Sequence, residues 1–340
     1  MSISQLSRRD FLKLTASGAL GLVLSELGVD NALAALPASQ GRAIWSGVRV
    51  FDAPSLLGNE IGLLRIDEVV DLLGEEQGDG IDNKFNNTWY KLDGGYTYSG
   101  WLQPVETKYQ KPVYEIPAEG RLAEVCVPYS MTYLGPYSYA KNAHRIFFET
   151  THWIKKVIIS REEKSVWYEI YDKELKKSFY VPSYNLRLIP DEELTQLSPE
   201  VPNEEKLIHV DLATQMVTAF EGQKMVLSVR CASGQRGTDT PKGEFFTYHK
   251  GPSIHMTNRG DAVANIYNLP GVPWCSFFTG SGHAIHGTYW HNDYGRPRSN
   301  GCINLPSSVS KWIYRWTNPV VPVGMDYLHL PGQGTKVKVE

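Results

Sequence analysis

From Trp45 onward apolar residues recur in short runs, often alternating with polar ones and broken by Gly, Asn or Asp. Val48-Arg49-Val50-Phe51, Trp89-Tyr90-Lys91-Leu92 and Tyr96-Thr97-Tyr98-Ser99-Gly100-Trp101-Leu102 are such runs. Their spacing predicts half-buried strands, with turns at Gly78-Asp79-Gly80 and Asp93-Gly94-Gly95. The pattern recurs from Arg121 to Leu194. There Trp167-Tyr168-Glu169-Ile170 matches Trp89-Tyr90-Lys91-Leu92, and Ser178-Phe179-Tyr180-Val181-Pro182 is set against Tyr98-Ser99-Gly100-Trp101-Leu102. Internal similarity of this kind predicts a duplicated unit. The stretch from Pro190 to Glu205 is acidic and holds three prolines, and it reads as a linker or short helix between domains. Beyond it, Leu207 to Leu212, Met216 to Phe220 and Met225 to Val229 are strand-like again, with Glu221-Gly222 as a hairpin turn. The period changes at Ser307. Val309, Trp312, Ile313 and Trp316 stand at helical spacing behind Ser307-Ser308 as caps, so residues 307–316 are expected to be a helix.

The N-terminus follows a different logic. Ser7-Arg8-Arg9-Asp10-Phe11-Leu12-Lys13 resembles a twin-arginine export signal, followed by a weakly apolar run to Leu27 and a small-residue cleavage pattern at Ala32-Leu33-Ala34. The run carries Thr15, Ser17, Gly18 and Ser25, too polar and too short for a span of about 20 apolar residues. Residues 1–34 are therefore set aside as targeting, and no stable membrane span is expected after their removal. The resemblance implies a protein that folds before export and works in the periplasm or cell wall.

Composition narrows the field further. A chain of 340 residues leaves room for two or three units. With 34 basic and 37 acidic residues, it lacks the electrostatic footprint of a nucleic-acid binder. The 19 tyrosines and 9 tryptophans suit both β-sheets and polymer-binding grooves. Cys126, Cys231, Cys275 and Cys302 form no C-x-x-C pair, which removes zinc-ribbon and thioredoxin readings. Buried free thiols are the plain reading of all but Cys302.

Chemistry concentrates in His283-Ala284-Ile285-His286-Gly287-Thr288-Tyr289-Trp290 and Arg298-Ser299-Asn300-Gly301-Cys302-Ile303-Asn304-Leu305. A thiol is mostly protonated at neutral pH and needs a base beside it. Histidine can take that proton and return it to a leaving amine. Gly301 lets the backbone bend tightly around Cys302, where neighbouring N–H groups are candidates to hold an oxyanion. A papain-type peptidase has its Cys before its His, and here the order is reversed. His283, His286 and His291 lack a carboxylate or thiolate completing a zinc pattern, so no metal is expected. His283 reads as a cleft or structural residue, and Cys275 as core. Tyr289, Trp290 and Tyr294 line a groove or pack a loop. Arg296 and Arg298 either steer substrate carboxylates or lie solvated, and Asp293 is a candidate to orient a histidine.

His-Gly-Thr followed by Ser-x-Gly-Cys-Ile-Asn resembles the signature of the L,D-transpeptidase catalytic domain family. Thr240-Pro241-Lys242-Gly243-Glu244-Phe245 and Pro273-Trp274-Cys275-Ser276-Phe277-Phe278 resemble its upstream elements. The resemblance implies Cys302 as nucleophile, His286 as base, and Ser299, Asn300 and Gly301 as the nucleophile loop. Gly287, Thr288, Trp290, Arg298 and Asn304 are the implied substrate-binding positions. Many members carry His where this chain has Asn300, and an amide donates hydrogen bonds but does not titrate. The two repeated units resemble bacterial SH3-like domains, which implies either glycan contact or a spacer role.

The expected fold is thus mainly β: SH3-like barrels over 43–107 and 120–194, a linker over 195–205, and a β-sandwich-like catalytic domain over 206–331 with a short helix after the nucleophile. The implied reaction is attack of Cys302 on the third-residue carbonyl of a peptidoglycan tetrapeptide stem, release of D-alanine, and transfer to an amine of another stem. Hydrolysis of the same thioester would make an L,D-carboxypeptidase, and a degenerate site would leave a wall-binding scaffold.

Overall fold

A computed structural model describes residues 39–79, 81–257 and 267–340. The export-signal reading over 1–34 lies outside the described residues. In the first unit Glu60–Leu64, Val48–Phe51, Gly95–Tyr98, Thr88–Leu92 and Gly74–Gln77 pair in that order, and Val69–Asp71, Gln40–Ala43 and Leu102–Val105 form a second sheet. The second unit is one sheet in the order Asn142–Phe147, Tyr129–Tyr133, Lys177–Pro182, Ser165–Asp172, Thr151–Ser160, Arg121–Val125 and Leu186–Leu188. The two orders coincide strand for strand once the long strand Thr151–Ser160 is set against Val69–Asp71 and Gly74–Gln77 taken together.

The ladders correct how the repeats align. Trp89 pairs with Tyr98, whereas Trp167 pairs with Pro182. Pro182 therefore answers to Tyr98, and Ser178 to Gly94; the aromatic residues alone suggested a frame shifted by four positions. A single 3-10 turn follows each hairpin, Ser99–Trp101 and Ser183–Asn185. Each unit has its own core, around Trp89 and Tyr98 in the first and around Tyr168 and Val181 in the second.

The last unit stacks two five-stranded sheets. One runs Lys224–Arg230, Met216–Glu221, Lys206–Asp211, Lys336–Val339, Gly243–Phe246, and the other Ile303–Leu305, Ala284–Gly287, Asn268–Phe277, His249–Thr257, Leu328–His329. The strand Lys336–Val339 lies parallel to Lys206–Asp211, so this sheet takes in residues past 331. Alternation sends Ile208, Val210, Val217 and Ala219 from the first sheet, and Ile285, Ile303 and Leu305 from the second, into one core.

Ser307–Trp316 is the one α-helix among the described residues, and it buries Val309, Ile313 and Trp316 in that core. Pro306 is its N-cap and makes no side-chain cap bond, so Ser307 and Ser308 belong to the first turn instead of capping it. Its C-terminal carbonyls are capped by buried lysines. Lys250 Nζ donates to the carbonyls of Tyr314 and Thr317, both at 2.6 Å, and Lys206 Nζ to that of Trp316 at 3.1 Å. Donors at this end satisfy carbonyls that the helix itself leaves unpaired.

The units are not strung loosely. Leu122, Trp153 and Ile189 of the second share a cluster with Trp274, Tyr314 and Val321 of the last. Thr151 Oγ1 donates to the Pro252 carbonyl (2.6 Å), and Ser253 Oγ to that of Thr151 (2.5 Å). The segment 195–205 is also tied down, since Leu197 N–H donates to the Arg315 carbonyl at 3.1 Å.

Candidate active site

The site begins with a parallel ladder. Ala284–Gly287 runs beside Ile303–Leu305 with Ile285 opposite Ile303 and His286 opposite Asn304. Because Ile285, Ile303 and Leu305 point into the core, alternation turns Ala284, His286, Asn304 and Cys302 to the other face. Cys302 and His286 therefore lie on one surface, diagonal across the ladder. The thiol faces the Gly282 carbonyl at 3.9 Å, and among the described residues no hydrogen bond joins it to His286.

His286 is 2% exposed, and both its nitrogens are engaged. Nδ1 lies 2.9 Å from the Gly287 carbonyl and Nε2 lies 3.1 Å from Asn304 Nδ2. A carbonyl only accepts and an amide nitrogen only donates, so the proton sits on Nδ1 and the lone pair on Nε2. The chain continues outward: Asn304 Oδ1 accepts from His291 Nε2 (3.0 Å), whose Nδ1 accepts from the Asp293 N–H (3.3 Å). Asn304 thus orients two imidazoles. Burial lowers both His286 and His291 to about 4, so each is neutral at pH 7. Burial also pushes the Cys302 thiol up to about 11. The resting pair is a neutral thiol beside a neutral imidazole.

The nucleophile loop is stapled from within. Gly301 has φ +109, a region that side chains rarely enter. Ser299 Oγ accepts the Gly301 N–H at 3.0 Å and donates to the Cys302 carbonyl at 2.5 Å. Thr240 Oγ1 accepts the Gly234 N–H at 2.9 Å and donates to the Gly301 carbonyl at 2.8 Å. Asn304 exchanges backbone hydrogen bonds with Ala232, at 2.9 and 3.0 Å. The Gly301 N–H that sequence reasoning held available for an oxyanion is therefore already consumed by Ser299.

The other expected positions distribute as follows. Gly287 is a packing glycine, since a Cβ there would meet Ser310 Oγ at 2.8 Å and Ser307 Cα at 3.0 Å in the helix. Thr288 Oγ1 pairs with Tyr294 OH at 2.8 Å. Trp290 lies 5.8 Å from the His286 ring, centre to centre. Asn300 is exposed. Arg298 does not stand as a free cation: its Nη1 donates to Asp293 at 2.9 Å, and Arg296 Nε does so at 2.5 Å. The Asp293 carboxylate reaches those two arginines, and only its backbone touches a histidine.

Several participants had no individual signal in the sequence. Asp293, fully buried, also accepts from Asn83 Nδ2 (2.8 Å) and Tyr98 OH (2.9 Å), both in the first unit. Arg42 Nη2 donates to the Tyr289 carbonyl at 2.7 Å, and Asn292 Nδ2 contacts the Ser99 carbonyl at 3.3 Å. The first unit therefore grips the loop between His286 and Cys302 at several points. Burial, then the charge that Cys302 would carry as a thiolate, raise the pKa of Tyr267 and Cys275. Thr240 was legible only as part of a motif, and His291 only as one of three nearby histidines.

Residues 205–339 match the family model of YkuD, the L,D-transpeptidase catalytic domain. Similar solved structures include an L,D-transpeptidase from Mycobacterium smegmatis, 19% identical over 54% of this chain and 81% of that one, with a TM-score of 0.33. L,D-transpeptidase 3 from Mycobacterium tuberculosis is 17% identical over 48% and 74%, also with a TM-score of 0.33. The catalytic domain of the Enterococcus faecium enzyme is 28% identical over 40% and 98%, with a TM-score of 0.32. No curated protein sequence matches the chain. Over residues 205–339 the chain thus matches the L,D-transpeptidase catalytic domain.

Proposed function

We propose that the protein is an exported peptidoglycan L,D-transpeptidase with Cys302 as nucleophile and His286 as base. The observation that carries this reading is the tautomer imposed on His286. The Gly287 carbonyl holds the ring proton on Nδ1, so the basic lone pair is on Nε2, which at rest accepts the Asn304 amide on the face that carries Cys302. In the reaction the sulfur attacks the third-residue carbonyl of a tetrapeptide stem while His286 Nε2, exchanging the Asn304 amide for the thiol, takes the thiol proton. Collapse of the adduct expels D-alanine, whose amine leaves with that proton. An amine of a second stem then displaces the sulfur, forming the cross-link and restoring the thiol. The chemistry calls for no cofactor.

Because the resting thiol and imidazole are both neutral, proton transfer accompanies attack instead of preceding it. The first unit acts as a brace for the loop between base and nucleophile, supported by its contacts to Tyr289, Asn292 and Asp293. Both repeated units, read as SH3-like, remain candidates for glycan contact. We place the protein outside the cytoplasm by the twin-arginine route, on the strength of Arg8-Arg9 and the run after them. Among the described residues no helix is long and apolar enough to cross a membrane.

Acyl-enzyme trapping tests the reading. Mature protein mixed with a tetrapeptide muropeptide and acid-quenched should gain the mass of the muropeptide less D-alanine, with the adduct mapping to Cys302. An unmodified thiol under turnover conditions would contradict it.

A further inference from the structure

The turn before the catalytic strand carries a second imidazole. Gly282, with φ +91, closes the turn by donating to the Thr279 carbonyl at 3.1 Å, and its own carbonyl is the one that faces the Cys302 thiol. The next residue, His283, lays its Cδ2–Nε2 edge against Gly301. A Cβ on Gly301 would sit 2.5 Å from both atoms, so the ring occupies the space a side chain there would need.

The opposite edge is anchored. Thr279 Oγ1 lies 2.8 Å and Ser281 Oγ 3.0 Å from His283 Nδ1. Thr279 Oγ1 accepts the His283 backbone N–H at 3.0 Å, and its hydroxyl hydrogen, like that of Ser281, is free to be given to Nδ1. With two hydroxyl donors at Nδ1, the tautomer that uses them carries the ring proton on Nε2, on the edge facing the nucleophile loop. Among the described residues Nε2 has no hydrogen-bond partner. Burial lowers the pKa of His283, which favours the neutral ring. Meanwhile the Gly301 N–H is spent on Ser299. The loop thus lacks one backbone donor and has a side-chain donor at the same place.

We propose that His283 Nε2–H is an oxyanion donor of this active site. As the sulfur–carbon bond forms, the carbonyl π pair moves onto oxygen, and the thiol proton goes to His286 Nε2. His283 keeps its own proton throughout and hydrogen-bonds the oxygen while it is charged. When the adduct collapses the charge returns to the carbonyl, and the departing amine takes its proton from His286. A preorganised donor of this kind acts on the transition state more than on substrate binding.

This proposal rests on the transpeptidase reading, and the test separates the two. Wild type, Cys302→Ala, His283→Leu and His283→Gln are assayed on a tetrapeptide muropeptide for kcat and KM, and Cys302 alkylation by iodoacetamide is followed in parallel. Leu fills the space without a donor, whereas Gln places an N–H near the position of Nε2. The expected result is a kcat loss of about 100-fold for His283→Leu with KM little changed. His283→Gln should recover to within about tenfold of wild type, and alkylation of the Leu variant should be unaltered. Equal kcat in wild type and His283→Leu, or equal losses in the Leu and Gln variants, would overturn the proposal. If His283→Leu does not fold, His283→Asn replaces it: Asn puts its donor nearer the Nδ1 position, so the proposal requires Gln to outpace Asn. No Cys302-dependent product from wild type would overturn the parent reading, and this one with it.

Discussion

Asn304 donates its amide to His286 Nε2 across 3.1 Å, from the residue directly opposite on the neighbouring parallel strand. The pairing makes Asn304 a positioning residue for the base, where sequence reasoning had set it among the substrate-binding positions. Its Oδ1 is held in turn by His291. Removing the amide in Asn304→Ala frees the His286 ring to rotate and leaves His291 Nε2–H unsatisfied. A kcat loss of about 10- to 100-fold is expected, less than the about 10²–10⁴-fold of a general base, because the base itself is kept and only its positioning is lost. Asn304→Asp replaces a donor with acceptors at Nε2, which favours a proton there and so the wrong tautomer; it should be slower than Asn304→Ala. Steady-state kinetics of the two variants checks the order.

The neutral resting pair has a pH signature. With the Cys302 thiol pushed up to about 11 and His286 down to about 4, iodoacetamide alkylation of the free enzyme should climb about tenfold per pH unit through pH 9. A plateau below pH 8 would instead mean a preformed thiolate–imidazolium pair. Turnover, which needs neutral His286, should stay nearly level between pH 5 and 9.

Stability should show the same buried imidazoles with a definite sign. His286 and His291 titrate near 4 when folded and near 6.5 when unfolded, so between those values the unfolded chain binds more protons. Above pH 6.5 they cost nothing. As pH falls from 6.5 to 4 each withdraws about 3 kcal/mol, from the conversion of about 1.4 kcal/mol per pH unit. A melting series from pH 7 to 4 should therefore show a steep fall in Tm, shallower in His291→Gln, which lacks one of the two groups.

The brace between the first unit and the catalytic loop predicts an effect at a distance in sequence. Tyr98→Phe removes the hydroxyl that reaches the buried Asp293 carboxylate at 2.9 Å and, more weakly, the Asn86 carbonyl at 3.2 Å within its own unit. A hydrogen bond to a charged group contributes about 1.5–3 kcal/mol. The variant should lose that much stability in denaturant unfolding. Its kcat/KM should drop as well, although residue 98 lies far along the chain from Cys302. An unchanged kcat/KM with lowered stability would make the contact purely structural.

What could be read from the chain, and what could not, follows from the range of each interaction. The strands around Trp89, Trp167 and Leu207, and the helix Ser307–Trp316, were legible because periodicity is a local property. Cys302, His286 and the Thr240 element were legible because they are short motifs. The repeat was visible, but its register was not: aromatic content suggested one frame, while the ladder between Trp167 and Pro182 set another. The clamp of Asn83 and Tyr98 on Asp293 spans about 200 positions and joins ordinary polar residues, so no local pattern marks it. The same holds for His283. Its contact with Gly301 arises only when the turn before one strand meets the loop before another.

The central claim is tested most directly by incubating mature protein, and its Cys302→Ala variant, with tetrapeptide-bearing muropeptides and resolving the products by mass spectrometry. The account predicts cross-linked dimers that have lost one D-alanine, present with wild type and absent with Cys302→Ala. Tripeptides without dimers would replace transfer by hydrolysis, and no Cys302-dependent product at all would contradict the account.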